Sequence, residues 1–376
     1  MKKKLSMKIP ALFLAVALSL SLLSGCGNSG AQSSSATSAS AASSLAAASS
    51  ASDTQQITDM VGNTVTIPAE VNKVFCTSPI GTYIMYTLAP DKLLGWNSKL
   101  SDEAKQYISA DCQDLPVLGG TMGGKNTFNT EAITALAPDI ILDFAYNKQV
   151  SDMVTQLGEK TGIPVVTLDS SLTGTPDAYR LLGKILGAED RGNELADYAQ
   201  KTLDNIKSMV SKVPDSEKVT VYYAESADGL KTDGTDSMHT EVINFVNATN
   251  VVTMDTSGSG AGTAVSMEQI LNWNPDVILA NSVMGGSDFA SAVYSNSTWS
   301  SISAVQNHRI YVPASLPFSW FDRPPCIARI IGAEWLAAKL YPDYVKVDLT
   351  GDVKAFYQTF YHVDITDAQA NTLIGD

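Results

Sequence analysis

Apolar and polar positions along this chain follow two rhythms, one helical and one extended, and their clearest combination occurs twice. Residues 129–142 read NTEAITALAPDIIL and residues 266–279 read SMEQILNWNPDVIL. In both, an acid (Glu131, Glu268) opens a run with apolar residues at helical spacing, a Pro-Asp pair ends it, and an apolar, β-branched stretch follows. Each copy predicts a short helix that turns into a buried parallel strand. The second glutamate comes 137 positions after the first, which predicts two α/β lobes of similar build with functional chemistry in the cleft between them.

The same reading places the other elements. A hairpin is expected over residues 57–67 around Gly62-Asn63, a pair suited to a two-residue turn. Strands at 74–77, 93–96 and 165–168 alternate with helices at 81–88, 101–108 (capped by Ser101) and 150–161, the order of parallel βα units. Thr175-Pro176 starts a helical stretch, and between Glu189 and Val210 the residues Leu195, Tyr198, Ala199, Leu203, Ile206 and Val210 keep an i, i+3, i+4 spacing. That spacing predicts one helix roughly 30 Å long, a rigid connector between lobes. A strand at 219–224 then opens the second lobe. The expected division is an N-terminal lobe over 56–174, a connecting helical segment over 175–213 and a C-terminal lobe over 214–376.

The first 55 residues read differently. A basic MKKK start and an apolar core at 11–23, too short to span a bilayer, form an export signal over residues 1–25. Leu23-Ser24-Gly25-Cys26 resembles a bacterial lipobox, which makes Cys26 the expected lipidation site. Residues 26–55 are almost all Ser, Ala, Gly, Thr, Gln or Asn and are expected to be a flexible tether, with the folded part starting at Gln56. The formal charge is −14, or −18 once the four leader lysines are set aside, which argues against nucleic acid or anionic lipid headgroups as direct partners. Beyond Cys26 the chain has Cys76, Cys112 and Cys326, an odd set without zinc spacing.

Candidate chemistry is sparse and specific. Ser319-Trp320-Phe321-Asp322-Arg323-Pro324-Pro325 sets a planar cation beside two aromatics on an extended segment, so Arg323 is a candidate receptor for an anionic group and Trp320 a candidate apolar wall. The competing reading ties Arg323 to Asp322 or another acid as a brace. His239 lies where a helix begins and can hydrogen-bond or ligate. With only three histidines in the chain, a tight bare-metal cage is not expected, nor is a cofactor. The loop from Gly119 to Asn126 almost spells a phosphate loop, but Asn126 stands where Ser or Thr should hold magnesium; the loop is expected instead to offer backbone N–H groups and Met122 to the cleft. Tyr146 follows a predicted strand at its carboxyl end, where open α/β sheets bind ligands. No HExxH or G-x-S-x-G motif is present, so an enzyme is not expected.

Taken in order, TDMVGNTVTIP, SPIGTYIMYTLAPDKLLGW, NTEAITALAPDIIL, the long helix and VSMEQILNWNPDVIL resemble the substrate-binding lipoproteins of ABC importers for iron chelates and vitamin B12. The resemblance covers the chain after the tether. It implies two Rossmann-like lobes joined by one long helix, with ligand held between them, and a monomer that delivers its cargo to a permease. It also implies that Glu131 and Glu268 dock on that permease; as plain helix-start acids they would gain only from the helix dipole. Where many relatives carry Thr-Glu, this chain has Thr82-Tyr83, so Tyr83 is a candidate ligand-facing aromatic. The run FSWFDRPPCIARIIGAEWLAAKLYPD, with ADGLKTD and SMHTEVI upstream, resembles a subgroup that includes iron-complex binders and molybdate or tungstate binders. The expected cargo is an iron complex of siderophore type or a similar anionic small molecule, with oxyanion, haem and cobalamin as alternatives; an adhesin and an enzyme are the rival classes. The expected location is outside the cytoplasm, tied to the membrane by lipid alone.

Overall fold

The computed structural model describes residues 53–122, 125–254, 256 and 262–375, with the side chains of Met122 and Lys125 left out. Cys26, the export signal and the tether up to Ser52 lie outside the described residues. Regular structure begins slightly before the expected Gln56, with β1 (Thr54–Thr58) paired antiparallel to β2 (Thr64–Pro68). The connection spans residues 59–63 rather than two residues. Asp59 is the reason: its Oδ1 accepts from the amides of Asn63 (2.7 Å) and Val61 (3.2 Å), so an acid-centred loop replaces the tight turn and only Gly62 takes a positive φ.

Next come β3 (Val74–Cys76) and α1 (Pro79–Leu88). The strand expected at 93–96 is reduced to single bridges, Leu93 with Val74 and Trp96 with Val117. Ser101 caps α2 (Asp102–Lys105) as expected, accepting from the Ala104 amide at 3.1 Å, but the helix is one turn long. The glycine loop is a small hairpin, β4 (Thr121–Met122) against β5 (Lys125–Asn126), and precedes no helix of phosphate-loop type. Then follow α3 (Thr130–Leu136), β6 (Ile140–Ala145), α4 (Asp152–Thr161) and β7 (Val165–Asp169), and β3-β6-β7 form a parallel sheet.

Two helices leave this sheet. α5 (Thr175–Leu186) and α6 (Glu189–Val210) pack as a hairpin, and a Cβ on Gly183 would lie 3.0 Å from the Cα of Gly192. Those glycines weaken helical propensity, and here they let two helix backbones approach. The 22 residues of α6 span about 33 Å, as the spacing predicted.

The second sheet is also parallel, in the order β10-β8-β12-β13. Its chain runs β8 (Thr220–Ala224), β9 (Lys231–Thr232), α7 (Glu241–Phe245), β10 (Thr249–Asn250), β11 (Thr263–Ala264), α8 (Met267–Trp273), β12 (Val277–Ala280), α9 (Gly286–Val293), α10 (Ser303–Gln306) and β13 (Ile310–Tyr311). Three helices finish the chain: α11 (Arg329–Leu340), α12 (Leu349–Tyr361) and α13 (Asp367–Ile374). They return towards α1 and α6, where the Tyr86 hydroxyl donates to the Tyr361 carbonyl (2.5 Å) and Arg191 to that of Thr359.

Strand alternation sorts the apolar residues among cores. Val221, Tyr223, Val277 and Leu279 face the large core that also holds Leu195, Trp335 and Phe360, while Tyr222, Ala224, Ile278 and Ala280 face a second core with Phe289 and Trp299. In the first sheet Ile140 and Leu142 face the large core, and Phe75 and Ile141 a third with Ile133 and Leu157. Both sheets are thus covered on two faces, which is why their strands read as unbroken apolar runs.

The repeated unit is one design built twice. Asn129 caps α3 and Ser266 caps α8, each helix ends on a left-handed residue (Ala137, φ 47°; Asn274, φ 40°), and the Pro-Asp pair follows. Each aspartate then ties its strand to the neighbouring one. Asp139 accepts from the amides of Asn72 (2.7 Å) and Lys73 (2.8 Å), and Asp276 from the amide (2.9 Å) and hydroxyl (2.6 Å) of Thr220.

Candidate functional site

The carboxyl ends of β8, β9 and β12 deliver Glu225, Asp233 and Asn281 to one place, and the segment from Ser319 to Pro325 crosses it. Arg323 is the centre. Its Nη2 donates to Glu225 Oε1 (2.6 Å) and Asp233 Oδ2 (2.9 Å), its Nε reaches Glu225 Oε1 (3.1 Å) and lies 3.3 Å from Asp322 Oδ2, and its Nη1 faces His239 Nε2 at 3.3 Å. The residue sits at φ 64°, a left-handed conformation that a non-glycine residue keeps only where its surroundings hold it.

His239 closes the circuit, with Nδ1 2.6 Å from Asp322 Oδ1. Because a guanidinium only donates, Nε2 accepts from Arg323, and Nδ1 carries the proton given to Asp322; the ring is the neutral Nδ1–H tautomer. Asp322 Oδ2 also accepts from the Tyr223 hydroxyl (3.2 Å), which accepts in turn from Asn281. Glu225, Asp233 and Asp322 are all buried, so three carboxyl groups share one guanidinium away from water. Burial pushes the Glu225 carboxyl well above its ordinary range; Arg323 opposes that shift and the charges of Asp233 and Asp322 add to it.

The first sheet contributes the facing side. Thr77, just past β3, donates to the buried Asp143 of β6, whose carboxyl is raised by burial and lowered by that hydrogen bond. Tyr146, one residue beyond β6, is half-buried; burial raises its hydroxyl, and the charges of Glu241, Arg329, Asp169 and Asp236 act on it. Glu241 at the start of α7 accepts from the Leu172 amide through both oxygens (3.0 Å each) and from Arg329 Nη1 (2.8 Å), and Arg329 also donates to the Ser170 carbonyl (2.6 Å). The loop after β7 is therefore tied through Glu241 and Arg329 to the starts of α7 and α11. Four buried side-chain oxygens near strand ends, on Ser170, Glu225, Thr232 and Ser282, have no hydrogen-bond partner among the described residues.

Of the residues expected from the sequence, Arg323 and His239 are in direct contact, and the Tyr146 hydroxyl feels the charges of Glu241 and Arg329. Arg323 is not open to an anion as expected: acids occupy Nε and Nη2, the bracing alternative in buried form. Trp320 is a correction. It is 0% exposed, its indole nitrogen is 3.4 Å from the Tyr357 hydroxyl and its ring meets Trp335 edge-on, so it fills the core instead of walling a cleft. Tyr83 stacks on Phe318 with centroids 3.5 Å apart, as ordinary helix packing would have it. The side chain of Met122 and all of Cys26 fall outside the described residues. Glu131 and Glu268 are exposed at the second position of α3 and α8. Cys76, Cys112 and Cys326 are free and buried, and no group of three or more His, Cys, Asp or Glu suited to a metal occurs among the described residues.

Glu225, Asp233, Glu241 and Arg329 were not singled out from sequence. Glu225 could have been: it directly follows an apolar strand, the position that singled out Tyr146.

Comparison with known proteins agrees with this architecture. Residues 74–315 match the family described as periplasmic binding protein. The molybdate-binding protein MolA of Haemophilus influenzae is 26% identical over 83% of this chain and 92% of its own length. The ABC transporter substrate-binding lipoprotein YvrC of Bacillus subtilis, described as uncharacterized, is 26% identical over 90% of this chain and 99% of its own. An ABC transporter solute binding protein from Sulfurospirillum deleyianum superposes with a TM-score of 0.78 at 29% identity, covering 85% of this chain and 99% of that one.

Proposed function

Because the chain belongs to the periplasmic binding protein family, which serves ABC transporters by binding solutes, we propose that it captures an iron chelate of siderophore type and delivers it to an importer permease. The observation that carries this reading is the place where both parallel sheets end. Buried polar groups gather at the strand ends, four of their oxygens lack a partner among the described residues, and Arg323 is held in a left-handed backbone conformation. Such a site offers hydrogen bonds that a bound solute can complete.

The rest of the assembly follows from the same reading. Cys26 carries a lipid anchor, the chain works outside the cytoplasm as a monomer, and the exposed Glu131 and Glu268 meet basic side chains on the permease. A bare oxyanion is the second reading, favoured by the likeness to MolA and opposed by the carboxylates that surround Arg323. Calorimetric titration with ferric siderophores, haem, cobalamin, molybdate and tungstate tests the proposal. Saturable binding of a ferric chelate is expected. Binding of molybdate or tungstate with no ferric chelate bound would replace this reading with the second.

A further inference from the structure

We infer that the solute presents a cationic, hydrogen-donating group to the wall formed by Glu225 and Asp233, so that the cargo class is a ferric chelate without net negative charge. This rests on the importer reading above and adds to it the sign of the ligand.

Arg323 has three acids around it, and its Nε and Nη2 are already given to Glu225 and Asp233. His239 adds no positive charge, because the hydrogen bond from Arg323 requires a lone pair on Nε2. Among the described residues, the other titratable groups packed against the cluster are Tyr222, Tyr223, which is pushed well above its usual range by burial, and Lys231, whose carbonyl accepts from the Glu225 amide (2.8 Å) while its side chain is exposed. None of them is a buried cation. An anionic ligand entering here would meet excess negative charge in a water-poor setting, where like charges repel strongly.

A second observation shows what the wall lacks. Glu225 is 0% exposed, yet its Oε2 has no hydrogen-bond partner among the described residues. The space in front of that oxygen depends on Gly262: it sits at φ 76°, and a Cβ built on it would lie 2.4 Å from Oε2. The hydroxyl of Thr232, next to Asp233 in the chain, is likewise buried without a partner. An orphaned carboxyl oxygen in a cradle that only glycine leaves open is matched, once its proton has left, by a donor such as an ammonium.

Proton balance gives the inference a signature. Burial holds the Glu225 carboxyl towards its neutral form near pH 7. A cation arriving beside it favours the carboxylate, and the proton passes to the buffer, so cation binding releases protons whereas an anion would favour uptake.

The test is calorimetry on the full chain at pH 7 in two buffers of different ionisation enthalpy. The probes are a ferric trihydroxamate bearing a free ammonium, ferric citrate and molybdate. The ammonium-bearing chelate is expected to bind at least about tenfold more tightly than ferric citrate, with proton release, and Glu225→Gln is expected to weaken it at least about tenfold and abolish the release. The probe ranking and the proton count come from the unaltered chain, so they hold even if the variant folds poorly. Tighter binding of ferric citrate or of molybdate, or proton uptake with the ammonium-bearing chelate, overturns the inferred charge; ferric citrate as the tighter ligand leaves the iron-chelate reading in place. Failure of both ferric probes to bind overturns the iron-chelate reading together with the inference.

Discussion

Glu334 on α11 is an acid in the wrong surroundings for its charge, and this sets a pH dependence that can be worked out in advance. It is 7% exposed, and burial, with a contribution from Asp352 on α12, pushes its carboxyl up from 4.5 to about 7. An unfolded chain releases this proton above pH 4.5, whereas the folded chain keeps it until about pH 7. The stability that depends on the bound proton is therefore complete below pH 4.5 and is lost as pH rises to about 7. A shift of this size corresponds to about 3 kcal/mol at 1.36 kcal/mol per pH unit. Glu334→Gln keeps the shape and removes the titration. Urea melts of the two proteins from pH 4.5 to 8 should give a stability difference near zero at the acid end, growing to about 3 kcal/mol in favour of the glutamine variant at pH 8. Taking the difference cancels carboxylates that titrate alike in both proteins. A gain of equal size at every pH, or none at any, would refute the reasoning.

Other outcomes follow from the same structure. Arg323→Ala strips the counter-ion from three buried acids and should cost about 3 to 5 kcal/mol in a denaturant melt, with Lys recovering only part; a loss below about 1 kcal/mol would show that the acids do not depend on it. Glu131→Ala combined with Glu268→Ala should leave solute affinity unchanged and remove stimulation of the importer ATPase, because both side chains are exposed at helix starts; normal coupling by the double variant would refute docking. Cys26→Ala should move the protein out of the membrane fraction, and its retention there would count against the lipid anchor.

Local rhythm carried most of the fold into view. The ends of α6 match the predicted helix, and both helix-strand units appear where the repeat placed them, because a 3.6-residue period over many turns and an apolar run bounded by Pro-Asp are strong signals. The signal failed where distant partners decide. Nothing near Arg323 in the chain announces Glu225, 98 positions away, and only the fold brings the two within 2.6 Å. Trp320 and Tyr83 read as ligand walls and pack elsewhere, since an aromatic in an apolar context has no local mark of the side it faces. The five-residue turn at Asp59 was hidden by a glycine that fits a shorter one.

Asp139 and Asp276 each tie two neighbouring strands with a single carboxyl group, so each helix-strand unit brings its own joint. The outward faces of α3 and α8 are therefore free of any duty in setting strand order. Substitutions at Glu131, Glu268 and their exposed neighbours can accumulate without moving the strands that end at the solute site. Under the proposed docking role, the surface offered to a permease and the surface offered to cargo can then diverge on separate schedules, so that a chain of this build changes transporter while keeping its ligand, or ligand while keeping its transporter.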